Sequence, residues 1–364
     1  MESYADATRG HHDETPAAGA PTPYGSGSPN LNAATNRSRV EMKRLATLAS
    51  GLFTTDETAF VVFGSLARGE FTSGSDVDWA VLIDGRAEAD HVTVVHELHK
   101  RLENEKFIQP GQTGVFGDMV FSHGLIHEIG GDDDTNTNMT RRLLMLLESD
   151  AVSVGESAKV RERVLRVILD RYLEEDAGYL ARTSEQMKIP RFLLNDIVRL
   201  WRTMAVDFAS KNRVRQRKGW ALRNIKLRMS RKLLLLSGLL MCISWAMKPP
   251  IATAADDREM KDALIEHLLE WVSRQPLGSI KQFVEAHAPA VASRIFEPYD
   301  SFLGLLGDDA KRLELKELRS EAAYENRTFL EARELSERFD TALIELLFDS
   351  NKKVADLTKK YGVF

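Results

Sequence analysis

From Ser38 onward the chain carries regular apolar periodicities that its first residues lack. Val40, Met42, Leu45, Leu48 and Leu52 recur at helical spacing and predict a first helix ending near Gly51. Ala59 to Phe63 is a short apolar, β-rich run stopped by Gly64, the pattern of a buried strand. Val77 to Ile83 predicts a second strand, closed by the Asp84-Gly85 turn and preceded by a turn over Gly69 to Gly74. Val92, Val95, Leu98 and Leu102 place an amphipathic helix over residues 88–107. After a glycine-punctuated loop from Pro110 to Gly117, Asp118-Met119-Val120-Phe121 reads as a third strand. Beyond about residue 139 the strand pattern ceases. Segments 140–148, 156–182, 190–211, 220–247, 256–273, 278–295, 309–320 and 326–358 all read as helices.

The predicted fold class is therefore α+β: a small mixed β-sheet domain over residues 37–150, then an all-α helical domain over 151–364. Residues 1–36 hold almost no large aliphatic side chains and cannot offset the entropy of ordering, so they are expected to form a disordered tail. His11-His12 within it read as incidental. The 364-residue length suits two domains, and 43% hydrophobic with 28% charged residues is the balance of a globular protein. A net charge of −5 argues against a general polyanion binder. The single cysteine, Cys242, rules out an intrachain disulfide and a thiolate metal cluster. It lies in an apolar run and reads as a core thiol, which fits a reducing, cytoplasmic setting. No signal-peptide pattern opens the chain. Leu233 to Met247 is the longest apolar run, shorter than the ~20 residues of a span and interrupted by Ser237, Gly238 and Ser244, so a buried helix is expected and no membrane partner.

The chemistry concentrates between Val61 and Leu82. Gly64 ends a strand where backbone must approach something closely, which a residue without Cβ allows. The N–H groups of the following turn and the hydroxyls of Ser65 and Ser75 are then candidates to hold phosphate oxygens. Arg68 either adds a charge for the same phosphates or pairs with Glu70. Asp76 and Asp78 are two apart on a strand and share one face, with Val77 turned to the core. Two carboxylates so placed repel unless a cation sits between them. Magnesium, a hard ion that takes oxygen ligands, meets that need, with manganese as the alternative.

This stretch, Gly64-Ser65-Leu66-Ala67-Arg68-Gly69-Glu70 followed by Ser75-Asp76-Val77-Asp78, resembles the signature of the DNA polymerase β-like nucleotidyltransferase superfamily. The two-domain layout is similar to the protein-uridylyltransferase and DUF294-type members, without their phosphohydrolase His-Asp doublet. The resemblance implies transfer of a nucleoside monophosphate from an NTP to an acceptor, with release of pyrophosphate and dependence on a divalent metal. The acceptor would be a protein side chain, an RNA end, a small molecule or a second nucleotide. It also implies a third carboxylate on a neighbouring strand, for which Asp118 is the candidate. Glu128 and the Asp132-Asp133-Asp134 run compete. His123 and His127, four apart, lack a third ligand in the sequence; His91, His96 and His99 read as ordinary helix residues.

Charge is unevenly spread. Between Asp207 and Asp256 there is no acidic residue, whereas Lys211, Arg213, Arg215, Arg217, Lys218, Arg223, Lys226, Arg228, Arg231, Lys232 and Lys248 fall there. Arg223, Lys226 and, one turn further, Arg231 can line one helix face. That face is a solvated basic surface, a cover for the triphosphate, or an RNA-binding strip. Asn195, Asp196, Arg199 and Arg202 form a polar stripe that needs partners. A different class, a toxin, antitoxin or anti-phage signalling protein that binds nucleotide or RNA on the same fold, is the competing function. The helical half lacks the Arg-to-His spacing of HEPN nucleases, and the intact motif favours catalysis.

Overall fold

The computed structural model describes residues 22–111, 115–152, 156–180, 189–214, 219–248 and 257–362. In chain order these form α1 (Pro29–Leu48), β1 (Thr58–Phe63), α2 (Gly64–Ala67), β2 (Asp78–Ile83), α3 (Asp90–Asn104), β3 (Asp118–Phe121), α4 (Ser122–Ile126), α5 (Asn136–Leu147) and β4 (Ser149–Ala151). The helical half follows as α6 (Ser157–Leu180), α7 (Arg191–Val214), α8 (Trp220–Lys226), a π-helical turn (Leu227–Arg231), α9 (Lys232–Met247), α10 (Asp257–Val272) and α11 (Pro276–His287). It ends with α12 (Ala292–Gly307), α13 (Asp309–Glu317), α14 (Arg327–Phe348), α15 (Lys352–Leu357) and a second π-helical turn (Thr358–Gly362). The fold is α+β, as the periodicities indicate.

The sheet is mixed, in the order β3-β2-β1-β4. β1 runs antiparallel to both β2 and β4, while β2 and β3 are parallel. All six residues of β1 are buried, which is why it reads as an unbroken apolar run. One sheet face (Phe60, Val62, Trp79, Val81) packs on Leu45 of α1 and Val95, Leu98 and Leu102 of α3. The other (Ala59, Val61, Phe63, Ala80, Leu82) joins a core that runs on through the helical half. Cys242 and the apolar α9 lie at the centre of that core. Helix Trp220–Met247 is long and apolar enough by composition to cross a membrane, but 83% of its apolar window is buried inside the protein.

Three elements differ from the reading of the sequence. Residues 29–36, expected in the tail, are the first turns of α1; their anchor is Asp300, which accepts from Leu31 N and Asn30 Nδ2, both at 2.8 Å. Composition is blind to a partner 269 residues away. Residues 1–21, with His11-His12, lie outside the described residues. The fourth strand, Ser149-Asp150-Ala151, falls across the expected boundary at 150 and is too short and polar to show alternation. A break was expected after residue 295, yet α12 runs from 292 to 307 through Pro298. Its flanks Ile295, Phe296, Tyr299 and Phe302 are buried, and their packing holds the helix despite the hydrogen bond that proline removes.

Candidate active site

β1 and β2 place the motif. Gly64 follows the last residue of β1 with φ +67°, a left-handed conformation that favours glycine. Phe63 is the register partner of Asp78, the first residue of β2. A Cβ on Gly64 would lie 2.9 Å from Asp78 Oδ2. The close approach anticipated for a ligand is therefore made first by the Asp78 carboxylate itself. Gly64→Ala strains the backbone and pushes on that carboxylate, costing about 1–3 kcal/mol. It should lower turnover at least about tenfold without unfolding the protein, measured by steady-state rates beside circular dichroism.

The cleft is lined by Gly64, Ser65, Arg68, Asp76 and Asp78 from the first half of the chain and by Lys226, Ser230, Arg231 and Arg312 from the helical half. Leu303 and Leu306 of α12 also line it, and it encloses about 120 Å³. Asp78 is pushed up to about 7 by burial and then by Asp76, with Arg231 pulling the other way. Lys226 is pulled down to about 8, first by burial and then by Arg312. The helix carrying these cations contains the π turn at Leu227–Arg231, and both Lys226 at its start and Arg231 at its end line the cleft.

Residues 43–113 match the model of the nucleotidyltransferase domain family. This segment is a nucleotidyltransferase domain, consistent with the DNA polymerase β-like superfamily. Such a domain supports a transferase of phosphorus-containing groups. No curated protein matches the chain.

The structure separates the candidate residues of this nucleotidyltransferase domain and of the helical half. Ser65, Asp76, Asp78 and Lys226 meet in the cleft. Ser75 lines it too, but its hydroxyl is 3.1 Å from both Thr72 N and Thr72 Oγ1, within its own turn. Arg68, a candidate for the triphosphate, also lines the cleft, and it is buried and ion-paired there: its guanidinium holds Glu70 at 2.7 Å and also Glu148. Arg223 does not line the cleft. Its Nε donates to Gly219 O at 3.0 Å and its guanidinium lies over the Phe208 ring, because the helix turns that position away. The side chains of Lys211 to Lys218 lie outside the described residues.

Asp118 is the register partner of Ala80, two residues along β2 from Asp78, so the two carboxylates share a sheet face. Asp118 is nonetheless exposed and lies outside the cleft, its Oδ1 accepting from Met119 N at 2.7 Å. Glu128 is bonded to Asn138 Nδ2 instead. Asp134 is buried against Arg142 at 2.7 Å, a structural pair that also takes in Asp196. The rings of His123 and His127 stand 4.8 Å apart. Among the described residues no group of three or more metal-ligating side chains is assembled.

Asp78 opens β2 whereas Asp76, expected on the same strand, lies in the loop just before it; both line the cleft, and burial and then the charge of Asp76 disfavour the ionised form of Asp78, so a divalent cation fits the pair. Residues that sequence reasoning missed complete the site. Glu148 accepts from Arg231 at 2.8 Å as well as from Arg68. Tyr299 donates to Glu70 Oε1 at 2.8 Å, and Arg312 reaches in from α13. Arg231 sat in the visible basic run; Glu148, Tyr299 and Arg312 had no local signal.

Proposed function

We propose that this chain transfers a nucleoside monophosphate from an NTP to an acceptor hydroxyl and releases pyrophosphate. The acceptor oxygen forms a bond to the α-phosphorus, the α–β phosphoanhydride bond breaks, and the proton of the hydroxyl is lost to solvent or a nearby base. The observation that carries this reading is Asp78 held against Gly64, with Asp76, Lys226 and Arg231 lining the same cleft. Asp76 and Asp78 would hold magnesium, or manganese, which when bound neutralises phosphate charge and acidifies the acceptor hydroxyl. Ser65 and the amides of its turn orient phosphate oxygens. Lys226 and Arg231 add positive charge from the helical half, and the burial of Lys226 strengthens its effect. Leu303 and Leu306 of α12 add apolar surface to the lining. Asp118, on the same face as Asp78, joins as third carboxylate if β3 shifts toward the site on nucleotide binding. Candidate acceptors are a protein side chain, an RNA end or a second nucleotide, in a cytoplasmic setting.

The test incubates the full chain with Mg²⁺ and each labelled NTP against cell lysate, RNA and no acceptor. Release of pyrophosphate or a labelled acceptor, lost in Asp76→Ala/Asp78→Ala, supports the reading. Equal labelling by the double variant removes these carboxylates from the chemistry, and NTP binding without turnover on any acceptor favours a binding module.

A further inference from the structure

The polar stripe of α7 takes no part in the cleft. Phe192, Asn195, Arg199, Arg202 and Val206 recur every three or four residues and stand exposed along one face of that helix. Leu193, Leu194, Ile197 and Leu200 are buried on the other. Asn195, Arg199, Arg202 and Val206 line a groove together with Asn136, the first residue of α5, and Tyr361 of the second π-helical turn. The groove encloses about 480 Å³, within the roughly 300–1,000 Å³ of small-molecule sites, and the cleft about 120 Å³. Among the described residues the two share no lining side chain. Asn136 opens α5, while Glu148, which holds Arg231 of the cleft, follows its end. The 12 residues of α5, at about 1.5 Å each, put roughly 18 Å of helix between them.

The charge in this groove is unbalanced. Arg199 stands 3.8 Å from the Asp196 carboxylate, which is already committed to the Tyr172 hydroxyl at 2.6 Å and to Arg142 at 3.2 Å. Its contact with Asn136 Oδ1 is long, at 3.4 Å. Among the described residues no hydrogen bond or ion pair holds the Arg202 guanidinium. Asp207 is the one acid of the described lining, and it has an interaction of its own. Two guanidiniums three positions apart on one helix face repel each other, and a phosphate that accepts from both relieves the repulsion. The rest of the lining suits a flat, polar-edged group. Tyr361 offers a half-exposed ring, Val206 an apolar side chain 68% exposed, and Asn136 and Asn195 amides that both donate and accept. A nucleotide carries all three features: an anionic phosphate, a base that stacks on aromatic rings, and base edges that hydrogen-bond to amides.

We propose that this groove is a second nucleotide site, in which Arg199 and Arg202 hold the phosphate while Tyr361 and Val206 meet the base. At the far end of α5 from Glu148, a mononucleotide there does not reach the reacting atoms at Asp78. It is a ligand in its own right, neither the donor nor the acceptor of the cleft. The site stands whether or not the cleft transfers a nucleotide.

Titration calorimetry of the full chain with the four nucleoside monophosphates, inorganic phosphate and a short single-stranded RNA tests this. Arg199→Gln/Arg202→Gln should weaken one mononucleotide binding step about tenfold to hundredfold, as expected for loss of charged hydrogen bonds. The thermal midpoint should not move, because both side chains are exposed. Arg231→Gln, in the cleft, should leave the same step unchanged. Thr203→Trp keeps both arginines but fills the groove that Thr203 lines, and should abolish the step. Full affinity in Thr203→Trp would mean attraction to surface charge alone and overturns the site. So does binding that survives the double arginine variant but is lost in Arg231→Gln, since the nucleotide then sits in the cleft. Inorganic phosphate bound as tightly as the best mononucleotide removes the base contact and overturns the proposal. RNA held by the two arginines with no mononucleotide bound makes this face an RNA surface and overturns it too, as does the absence of any mononucleotide binding outside the cleft.

Discussion

Asp78→Asn is expected to reduce turnover about 1000-fold or more and, at the same time, to make the metal-free protein more stable at neutral pH. The loss follows from removing a carboxylate whose charge on a bound cation is worth several kcal/mol in the transition state. The gain follows from the sign of its titration. Asp78 is raised from its ordinary 3.8 to about 7 by burial and by Asp76. A carboxyl raised on folding leaves the folded state without penalty below its unfolded value and costs stability as it ionises. Stability therefore falls as pH rises from 3.8 to about 7, and stays reduced above that. Asparagine cannot ionise, so the variant escapes a penalty of at most roughly 4 kcal/mol, several degrees in midpoint. Divalent cation should raise the wild-type midpoint and leave the variant's unmoved. Thermal melts at pH 5 and 8, with and without Mg²⁺, check both halves. A variant that melts lower than wild type at pH 8 would mean that attraction to Arg231 and Lys226 outweighs burial and Asp76.

The opposed effects at one residue explain why this part of the site was legible in sequence. Gly64, Asp76 and Asp78 break local rules within 15 residues: a left-handed residue after a strand, then two like charges at and just before the start of a buried strand. Such departures point to function because nothing in the local fold asks for them. The elements around them were legible for the opposite reason, since β1, β2 and α3 obey their periodicities. What stayed hidden was long-range. Arg68 lay within the motif, and sequence left it divided between phosphate and Glu70; its second partner, Glu148, lies 80 residues on. Arg223 and Lys226 looked equivalent on a helical wheel, yet the structure turns one to Phe208 and the other to the cleft. Asp118 matched the acid-then-apolar pattern, and its register gives it the right face, but strand pairing sets it one step beyond the cleft. The start of α1 was hidden in the same way, because Asp300 caps it from α12.

Glu148 shows how fold and site share one group, and its removal should be the most damaging change outside the motif. It ends α5 just before β4, is 2% exposed, and divides its two oxygens between Arg68 and Arg231. Glu148→Ala leaves the buried Arg68 with Glu70 alone and frees Arg231, whose side chain is one-third exposed. Breaking a buried ion pair by deleting one partner costs about 3–5 kcal/mol, since the remaining charge keeps its desolvation penalty. That loss should appear as a lower urea midpoint with little change in the slope of the transition. Glu148→Gln preserves shape and one acceptor oxygen, so it should cost less stability while still loosening Arg231. Its signature would be a fall of about tenfold in kcat/KM with the fold intact, as expected when a charged contact near the phosphates loses its positioning partner. If the glutamine variant keeps full kcat/KM and the alanine variant only melts lower, Glu148 supports the fold and Arg231 stands in the cleft without its help. If both variants lose activity in proportion to nucleotide affinity, the carboxylate at the end of α5 sets where the π turn presents its arginine.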